Sequence, residues 1–555
     1  MMAAWTWHQG WAAGHSVTAM PTPDQVQDRL HSRLAELPLP PSITVAGERI
    51  RVPLALLAFY ERRAYQPAWI QGAELLPPGE VLVAAIGAIQ HEGLRPTDYH
   101  LTQIHTLRTT LRSTQEQHSF LDADHLVDLD LLLTDAFFLY SAHLLTGRIN
   151  PDSDRTEWKD TRRKVDLVAL LENVLATNQV ENFLRNAPPA HPLYVNLRQA
   201  LAQYRDIIAA GGWPKVPNCP KLYPGDRDPC LRTLRIRLQA EGFLPAKHHL
   251  HEQDFYDDEL VRAVRRFQKR YGLSVDGIIG PATLAAVNVS AEARARQIAL
   301  NLERLRWLPR NPEPHALVVN IPGFTLEMWE SGQSVKTMRI VVGKELSATP
   351  VFSAPMTYLV LNPDWHLPHS IAAKEMLPRI RQDPSYLATH RIRVVQRVDG
   401  ETRVVNPNGI DWSQLSANNF PYRLRQEPGP TNSMGRIKFM FPNPFSIYLH
   451  DTPVRSRHLF GNRVRTFSHG CIRVEEPIEL AAYLLAENQQ WTPDALMVAL
   501  DRGKQRTVRL SDPIPVHIVY WTAWVDQEGV LQFRPDIYGY DRLLDRALRK
   551  APSIL

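Results

Sequence analysis

Apolar and polar positions divide the chain into a helical first part and a mostly β second part. Between Pro23 and about Ala210 the apolar residues recur at helical spacing, most clearly in the run from Leu126 to Tyr140. From Ala316 onward they come in short runs separated by Gly, Pro and Ser, which is typical of strands and turns. The pattern predicts a multidomain α+β fold.

A second helical region follows a stretch that is rich in Gly and Pro. Residues 211–227 contain the residue types that form turns and interrupt helices, so they are predicted to form a linker. Beyond them, Asp228–Ala240 and Asp257–Tyr271 each place apolar residues on one helical face, and Pro281 begins a third helix. We expect a small three-helix module here.

The β part is interrupted where its pattern changes. Residues 366–420 break the strand rhythm with a helical stretch around Ile371–Ile380, which predicts an insertion. The predicted divisions are an unassigned segment or degenerate export signal (1–24), a helical domain (25–210), the linker (211–227), the three-helix module (228–288), a mostly β domain (310–502) with its insertion (366–420), and a β-rich C-terminal extension (503–555).

Composition excludes several classes of protein. With 44% hydrophobic and 22% charged residues among 555, the chain is globular rather than disordered. Its 63 basic and 58 acidic residues nearly balance, which disfavours nucleic acid as a partner. The most apolar run, Leu126–Leu145, contains three aspartates, so no transmembrane segment is predicted. Met1–Pro21 lacks the early positive charge and continuous apolar run of a signal peptide.

Three cysteines are too few for a disulfide scaffold. Cys219 and Cys230 flank a loop rich in Pro and Gly, and the sequence leaves open whether they pair or are unrelated thiols. Cys471 stands alone and is expected to be a free thiol. The run His248-His249-Leu-His251 lies in a predicted loop without matching ligands, so we interpret it as solvated histidines rather than a metal site.

The densest chemical signal combines a thiol, two imidazoles, a glycine and a cation. A cysteine becomes nucleophilic when a nearby base takes its proton, and a glycine before it lets backbone N–H groups approach a carbonyl as an oxyanion hole. Either of the two histidines is a candidate base. The candidate residues are Tyr448, His450, Asp451, Ser468, His469, Gly470, Cys471 and Arg473.

Two other interpretations of this cluster compete with nucleophilic catalysis. One is a buried cysteine with incidental histidines, which the joint pattern makes improbable. The other is a zinc site formed by Cys471, His450 and His469, which lacks the Cys-x-x-Cys partner and fourth ligand of a structural zinc site.

The block Ser468-His-Gly-Cys-Ile-Arg473 resembles the active-site signature of L,D-transpeptidases with the YkuD fold. The segment from Phe267-Gln268 to Gly280-Pro-Ala-Thr-Leu284 is similar to the peptidoglycan-binding module of wall hydrolases. Further segments resemble the scaffold and catalytic domains of the large YcbB-type members, namely Phe59–Trp69, Gly93–His100, Leu131–Arg148, Asn362–Trp365, Gly429-Pro430, Gly435-Arg436, Phe441–Pro444 and Tyr520–Trp524.

The resemblance implies roles for the candidate residues. Cys471 matches the nucleophile, His450 matches the general base, and the backbone carbonyl of Asp451 would orient that imidazole. Gly470 matches an oxyanion position, and Arg473 matches the cation near a substrate carboxylate. The other matched residues shape the substrate pocket: Ser468, His469 and Tyr448.

The implied reaction is acyl transfer between peptidoglycan tetrapeptide stems. Cys471 would release D-Ala, and an amine of a second stem would resolve the thioester to a 3→3 cross-link. No metal or organic cofactor is expected. The same resemblance implies a periplasmic or envelope location, binding to glycan strands, and acylation of Cys471 by carbapenems.

Several alternatives remain open from sequence. An L,D-carboxypeptidase would use water as the acceptor, and a non-catalytic wall-binding protein would not form the thioester. D-amino-acid exchange and lipoprotein attachment are further acceptor reactions. Trp365, Lys374 and Lys438 are candidates for gating the cleft, although packing for Trp365 and solvated positions for both lysines are equally expected. Protein partners and oligomeric state are not predicted.

Overall fold

The structure is a computed structural model that describes residues 21–35, 42–117, 122–149, 165–245, 253–311, 313–398, 401–488 and 490–552. The expected N-terminal export segment therefore lies almost entirely outside the described residues, as does the His248–His251 run. Within the described part, the chain forms two compact units, unit 1 with residues 21–148, 165–190 and 548–552, and unit 2 with residues 149 and 191–547.

Unit 1 is helical, as predicted for this part of the chain. Its helices are α1 Pro23–Leu34, α2 Pro53–Arg62, α3 Pro77–Ala88, α4 Leu101–Glu116, α5 Ala123–Thr146, α6 Leu167–Ala176 and α7 Val180–Asn186. Two small hairpins accompany them, with strands β1 Thr44–Val45, β2 Glu48–Arg49, β3 Ile70–Gln71 and β4 Glu74–Leu75. Helix α5 is the central element because its residues are buried on all sides from Leu126 to Leu144.

By length and composition alone, helix α5 could cross a membrane. In the structure, 89% of its most apolar window is buried inside the protein. A helix that is hydrophobic all round is also what the centre of a large helical domain requires. Its aspartates fit that role, because each of the two buried ones has several hydrogen-bond donors.

The carboxylate of Asp130 holds the loop before strand β3. It accepts hydrogen bonds from the backbone N–H groups of Ala68 and Trp69, the latter at 2.7 Å, and from the hydroxyl of Tyr60 at 2.5 Å. Asp130 is fully buried. Burial raises the pKa of this carboxyl group, whereas the Tyr60 hydroxyl and the two backbone donors oppose that rise.

Asp135, five residues further along α5, accepts hydrogen bonds from the backbone of a second loop. It accepts hydrogen bonds from the backbone N–H groups of Arg51 and Val52, and it lies 2.8 Å from Nε2 of His100. His143 lies 2.8 Å from the hydroxyl of Tyr99. Asp135 and His143 are thus buried groups of the core that have hydrogen-bond partners.

Unit 2 begins with helices that surround the three-helix module. Its helices are α8 Pro192–Ala209, α9 Cys230–Ala240, α10 Asp258–Arg270, α11 Pro281–Val287 and α12 Ala291–Leu305. The sequence pattern grouped α8 with the preceding helical domain, ending at residue 210. In the structure α8 belongs to unit 2, because its buried face packs on the same core as α12 and the C-terminal hairpin.

The side chain of Gln268 organises the end of the three-helix module. Its Nε2 donates to Asp276 Oδ1 at 2.9 Å and to the Ile278 carbonyl, and its Oε1 accepts from the Gly277 N–H. Gly277 has a φ of +75°, which favours glycine. A disulfide joins Cys219 to Cys230 at the other end of the module.

The β domain is a nine-stranded sheet with the strand order β15-β7-β16-β14-β13-β8-β17-β5-β6, and β6 also pairs with β7. Its strands are β5 His315–Asn320, β6 Thr325–Glu330, β7 Gln333–Gly343, β8 Phe352–Leu361, β13 Ile437–Met440, β14 Leu449–His450, β15 Thr466–Ser468, β16 Ile472–Val474 and β17 Arg506–Val519. The helices after β16 are α16 Pro477–Leu484 and α17 Pro493–Asp501, followed later by the hairpin β18 Ala523–Val525 and β19 Leu531–Phe533 and by α18 Tyr540–Arg549.

Strand β17 corrects the predicted boundary at residue 502. It pairs with β8 on one side and β5 on the other, so it is an interior strand of this sheet and not part of an appended extension. The register of its pairing with β8 shifts between Arg509 and Ile514, where Asp512-Pro513 interrupts the apolar alternation. A proline cannot donate a hydrogen bond to a neighbouring strand. The apolar alternation is therefore broken here, and the pattern did not predict that the strand lies inside the main sheet.

The insertion contains the predicted helical stretch and also a sheet that the pattern did not predict. Helical turns run from His369 to Gln382 (α13 His369–Ile371, a π-helical segment Ala372–Met376, and α14 Leu377–Gln382), and α15 covers Tyr386–Thr389. The sheet has the order β11-β10-β12-β9. Its strands are β9 Trp365–His366, β10 Ile392–Val398, β11 Glu401–Val405 and β12 Arg423–Gln426.

Replacing the Asp130 carboxylate tests its role in the core of unit 1. Asp130→Ala leaves the buried N–H groups of Ala68 and Trp69 without their acceptor, so we expect unfolding to become easier by about 3 kcal/mol. Asp124→Ala, which removes an exposed ion pair with Arg29, is the matched control and should cost less than about 1 kcal/mol. Urea unfolding followed by circular dichroism measures both. Equal effects of the two substitutions would contradict the role of Asp130.

Candidate functional site

Two short parallel strands bring the candidate residues together. Strand β14 pairs with β16 so that Leu449 lies opposite Ile472 and His450 lies opposite Arg473. The Ile472 N–H donates to the Tyr448 carbonyl at 3.1 Å, which fixes this register. Because alternate residues share one face of a strand, Tyr448 and His450 lie on the same face as Cys471 and Arg473.

His450 is buried, and its ring is held by a backbone carbonyl. Its Nδ1 lies 2.6 Å from the carbonyl oxygen of Asp451. Because a carbonyl only accepts, Nδ1 carries the proton and Nε2 keeps its lone pair. Burial, with a smaller contribution from Arg473, lowers the pKa of His450 to about 3, although the Asp451 carbonyl opposes that change. The imidazole is therefore neutral over the whole physiological range.

Cys471 is half-buried and is the free thiol of the chain, since the other two cysteines form the disulfide. Burial raises its pKa, whereas the Tyr448 backbone N–H and hydroxyl, Lys438 and Arg473 each favour the thiolate. The Lys438 ammonium lies 3.6 Å from the centre of the Tyr448 ring. The sulfur thus lies among hydrogen-bond donors and two cations.

Gly470 forms the sharp turn that presents Cys471. Its φ is +111°, and a Cβ added there would lie 3.2 Å from the Ile447 side chain, so glycine is required by both conformation and space. The Gly470 N–H donates to Ser468 Oγ at 3.1 Å, and Ser468 Oγ donates to the Cys471 carbonyl at 2.5 Å. The Gly470 N–H, which the sequence suggests as an oxyanion donor, is thus hydrogen-bonded to Ser468 in this structure.

Two residues that sequence reasoning missed support the same turn. Thr349 is fully buried, donates from Oγ1 to the Gly470 carbonyl at 2.8 Å, and accepts from the Gly343 N–H at 2.9 Å. The Tyr538 hydroxyl donates to the Gly343 carbonyl at 2.5 Å. Neither residue lies near the motif in sequence, so no local signal identified them.

Asp451 acts through both its backbone and its side chain. While its carbonyl holds His450, its carboxylate accepts from the backbone N–H groups of Arg436 at 2.7 Å and Thr452 at 2.6 Å. A Cβ added to Gly435 would lie 2.5 Å from the Asp451 side chain, so glycine is needed for this approach. Asp451 therefore ties the end of β14 to the start of β13.

His469 points toward the insertion. It is 43% exposed, and its Nε2 lies 2.7 Å from Oε1 of Glu375, which belongs to the π-helical segment. The two histidines of the motif thus have different surroundings, since His450 is buried beside Arg473 and His469 contacts the insertion.

The remaining candidates occupy different positions. The Arg473 guanidinium is partly buried, and its Nε has no hydrogen-bond partner among the described residues. Lys438 lies beside Cys471, whereas Lys374 is exposed. Trp365 is half-buried and packs against the core of the insertion. Of the three gating candidates, the structure thus brings Lys438 alone to the thiol.

The proposed zinc alternative finds no support in the arrangement. Within the described ranges, the one group of at least three His, Cys, Asp or Glu side chains close enough to share an ion is Cys219, Asp228 and Cys230. Two of its three sulfur or oxygen ligands are the sulfurs of the disulfide. Cys471, His450 and His469 do not form such a group.

Three family models match separate parts of the chain. A model described as an L,D-transpeptidase catalytic domain matches residues 314–515. A scaffold domain matches residues 54–201, and a "Putative peptidoglycan binding domain" matches residues 227–287. The chain is thus similar to L,D-transpeptidases over its β domain. Its combination of scaffold, peptidoglycan-binding and YkuD domains fits the large YcbB type of that family, and the resemblance found in the sequence is confirmed.

Similar proteins agree with this family. A Haemophilus influenzae protein named "Putative L,D-transpeptidase" is 35% identical over 326 residues, which cover 57% of this chain and 64% of that protein. The matched region thus spans less than two thirds of that relative.

Solved L,D-transpeptidase structures show lower similarity. One from Xylanimonas cellulosilytica is 15% identical, with 55% of this chain and 100% of that chain covered and a TM-score of 0.17. One from Stackebrandtia nassauensis is 12% identical, with 55% and 95% covered and a TM-score of 0.20. Both scores are below 0.5, so the similarity to L,D-transpeptidases rests on the sequence matches.

Removing the cation beside the thiol tests the electrostatics of the site. Lys438 favours the thiolate, so Lys438→Met should move the pKa of Cys471 further upward. The alkylation rate rises as pH passes through the thiol pKa, so at pH 8 we expect the variant to react about three- to tenfold more slowly with iodoacetamide. Mass spectrometry of intact protein measures the rate, because Cys471 is the one free thiol.

Lys504→Met is the matched control, since Lys504 is exposed and outside the site. An unchanged alkylation profile in Lys438→Met, or an equal change in Lys504→Met, would contradict the assigned interaction.

Proposed function

We propose that this protein is a peptidoglycan L,D-transpeptidase that forms 3→3 cross-links through a thioester on Cys471. The observation that carries the proposal is the pairing of β14 with β16, which puts His450, Cys471 and Arg473 on one face of a domain matched by the L,D-transpeptidase catalytic model. A thiol, a neutral imidazole and a cation are the groups that acyl transfer to and from a carboxylate-bearing peptide requires.

In the first step, Nε2 of His450 accepts the Cys471 proton while the sulfur attacks the carbonyl between the L-centre of diaminopimelate and the terminal D-Ala. The C–S bond forms as the carbonyl π electrons move to oxygen. Collapse of this tetrahedral intermediate breaks the C–N bond, and the imidazolium returns its proton to the departing amine of D-Ala. The hydrogen bond from Nδ1 to the Asp451 carbonyl keeps Nε2 free for both transfers.

The pKa shifts favour proton transfer during the attack rather than before it. Burial raises the pKa of Cys471 and lowers that of His450 to about 3, so the resting pair is a neutral thiol and a neutral imidazole. Lys438 and Arg473 stabilise negative charge on the sulfur and the same charges oppose an imidazolium. A preformed thiolate–imidazolium pair is therefore disfavoured, and the base acts within the transition state.

The developing oxyanion needs donors other than the Gly470 N–H, which donates to Ser468. The backbone N–H of Cys471 and the hydroxyl of Tyr448, which interacts with the sulfur, are the donors we propose. Tyr448 remains a phenol at neutral pH because burial raises its pKa. A protonated phenol beside the thiolate is an effective oxyanion donor.

The thioester is resolved by an amine of a second stem peptide. His450 accepts a proton from this amine, the new amide bond forms as the C–S bond breaks, and the proton returns to Cys471. We assign to Arg473 the recognition of a stem carboxylate, because it is a cation on the face of the sheet that carries Cys471. His469 and Ser468 complete the walls of the pocket.

The other domains support a location in the cell envelope. Residues 227–287 match a peptidoglycan-binding model, and the Cys219–Cys230 disulfide in that region fits an oxidising compartment. We propose that the module holds glycan strands while the β domain acts on their peptides, in the periplasm or at the envelope.

Substitution of the thiol and the base tests the mechanism. Cys471→Ala should reduce product formation from disaccharide-tetrapeptides by at least about 10³-fold, because no thioester can form. His450→Ala should reduce it by about 10²- to 10⁴-fold through loss of the base. His458→Ala, an exposed histidine between them in sequence, is the matched control and should retain activity. Mass spectrometry of the muropeptides measures D-Ala release and 3→3 dimers.

The products distinguish the competing functions. Tripeptides without dimers would identify an L,D-carboxypeptidase, and unchanged substrate with the wild-type protein would support a non-catalytic wall-binding protein. A carbapenem is expected to add one acyl group to the wild-type chain and none to Cys471→Ala. Equal adducts on both proteins would place the acylation elsewhere.

A further inference from the structure

One cavity of unit 2 lies outside the candidate active site. It has a volume of about 650 Å³ and is bordered by the start of α8, the β6–β7 hairpin and the β18–β19 turn, with Lys269 of α10 at its edge. Volumes of this order hold ligands of a few hundred daltons. No step of the proposed mechanism uses this cavity.

The walls of the cavity are aromatic and held in place. The indoles of Trp329, Trp521 and Trp524 line it and are largely buried. The His191 ring stacks on Trp329 at 5.4 Å with an angle of 18° between the ring planes. The Trp329 N–H donates to Glu327 Oε2 at 2.9 Å, so the ring orientation is fixed before any ligand arrives.

Polar side chains that could form hydrogen bonds with a ligand lie beside these rings. His191 accepts the Leu193 N–H on Nδ1 at 3.2 Å, which assigns its proton to Nε2, and this Nε2 has no partner among the described residues. Carboxylates and amides of Glu528, Asn196 and Gln333 also line the cavity. Hydroxyl and acetamido groups are the ligand groups that such donors and acceptors pair with.

The charge of the cavity excludes an anionic ligand. Its lining contains the carboxylates of Glu327, Asp526 and Glu528 and the ammonium of Lys269. Negative charge predominates, so a free stem peptide with its several carboxylates would be repelled. Aromatic faces pack well against the C–H faces of sugar rings, and neutral sugars carry the hydroxyl and acetamido groups that the polar lining needs.

We propose that this cavity binds a segment of the glycan strand, that is, a chain of β-1,4-linked N-acetylated amino sugars. The inference rests on the proposed function, since it takes peptidoglycan as the substrate. Strand β7 connects the cavity to the active site, because Gln333 and Thr337 line the cavity and Val341 of the same strand pairs with Arg473. The separation along the strand from Thr337 to Val341 is about 13 Å.

Blocking the cavity with a long side chain tests this proposal. Thr337→Arg and Asn196→Arg each project into the cavity from a different element, and neither residue is fully buried. The probe is the β-1,4-linked tetramer of N-acetylglucosamine, titrated into the full chain by isothermal calorimetry. Val335→Arg is the matched control, because Val335 lies on the same strand, is 53% exposed and is not part of the lining.

We expect the wild-type protein and Val335→Arg to bind the tetramer alike and both blocked variants to bind at least tenfold more weakly, with unchanged circular dichroism spectra. Absence of binding to the wild-type protein would overturn the proposal. Binding that persists in both blocked variants would also overturn it, because the tetramer would then lie elsewhere, for example on the 227–287 module. The probe contains no peptide, so the result is independent of whether Cys471 forms a thioester.

Discussion

The candidate active site depends on one short parallel pairing, that of β14 with β16. Each strand is only two or three residues long, yet their register decides which side chains share a face. A shift of one residue would turn His450 or Cys471 to the opposite side of the sheet. Neighbouring strands prevent this shift, because β13 pairs with β14 and β7 pairs with β16, and the Asp451 N–H donates to the Ile437 carbonyl at 2.9 Å. The chemistry therefore relies on the whole sheet rather than on the motif alone.

Burial and charge act together at this face. Removing the thiol and the imidazole from water favours their neutral forms, and the two nearby cations favour a thiolate but oppose an imidazolium. Negative charge is thus stabilised at the sulfur, whereas a proton on His450 is destabilised. In the proposed mechanism, such a base holds the proton only during its transfer between the thiol and the amine. In the proposed reaction the same cations would also attract the carboxylates of a stem peptide, so one electrostatic arrangement would serve both binding and catalysis.

The sequence was informative where the chemistry is local and uninformative where it is assembled from distant segments. Ser468–Arg473 is a continuous block, and its glycine and thiol are recognisable without a structure. Thr349 reaches the Gly470 carbonyl across 121 positions, and Glu375 reaches His469 across 94, so neither leaves a local pattern. The pattern predicted β structure after residue 503 but not that β17 pairs inside the main sheet, because its pairing is irregular around Asp512-Pro513. For helix α8, periodicity reveals an apolar face but not the core on which it packs, which in the structure is that of unit 2.

Strand β7 extends from the candidate active site to the tryptophan-lined cavity. One end of the strand supports β16 and hence Cys471, and the other end forms a wall of the tryptophan-lined cavity. Both ends belong to a single ladder that β6 continues on the cavity side. A polymer held in the cavity would therefore be fixed relative to the thiol by backbone hydrogen bonds rather than by flexible loops. Binding of the glycan would then already include most of the loss of translational and rotational entropy. The attached peptides would therefore reach the thiol at a high effective concentration.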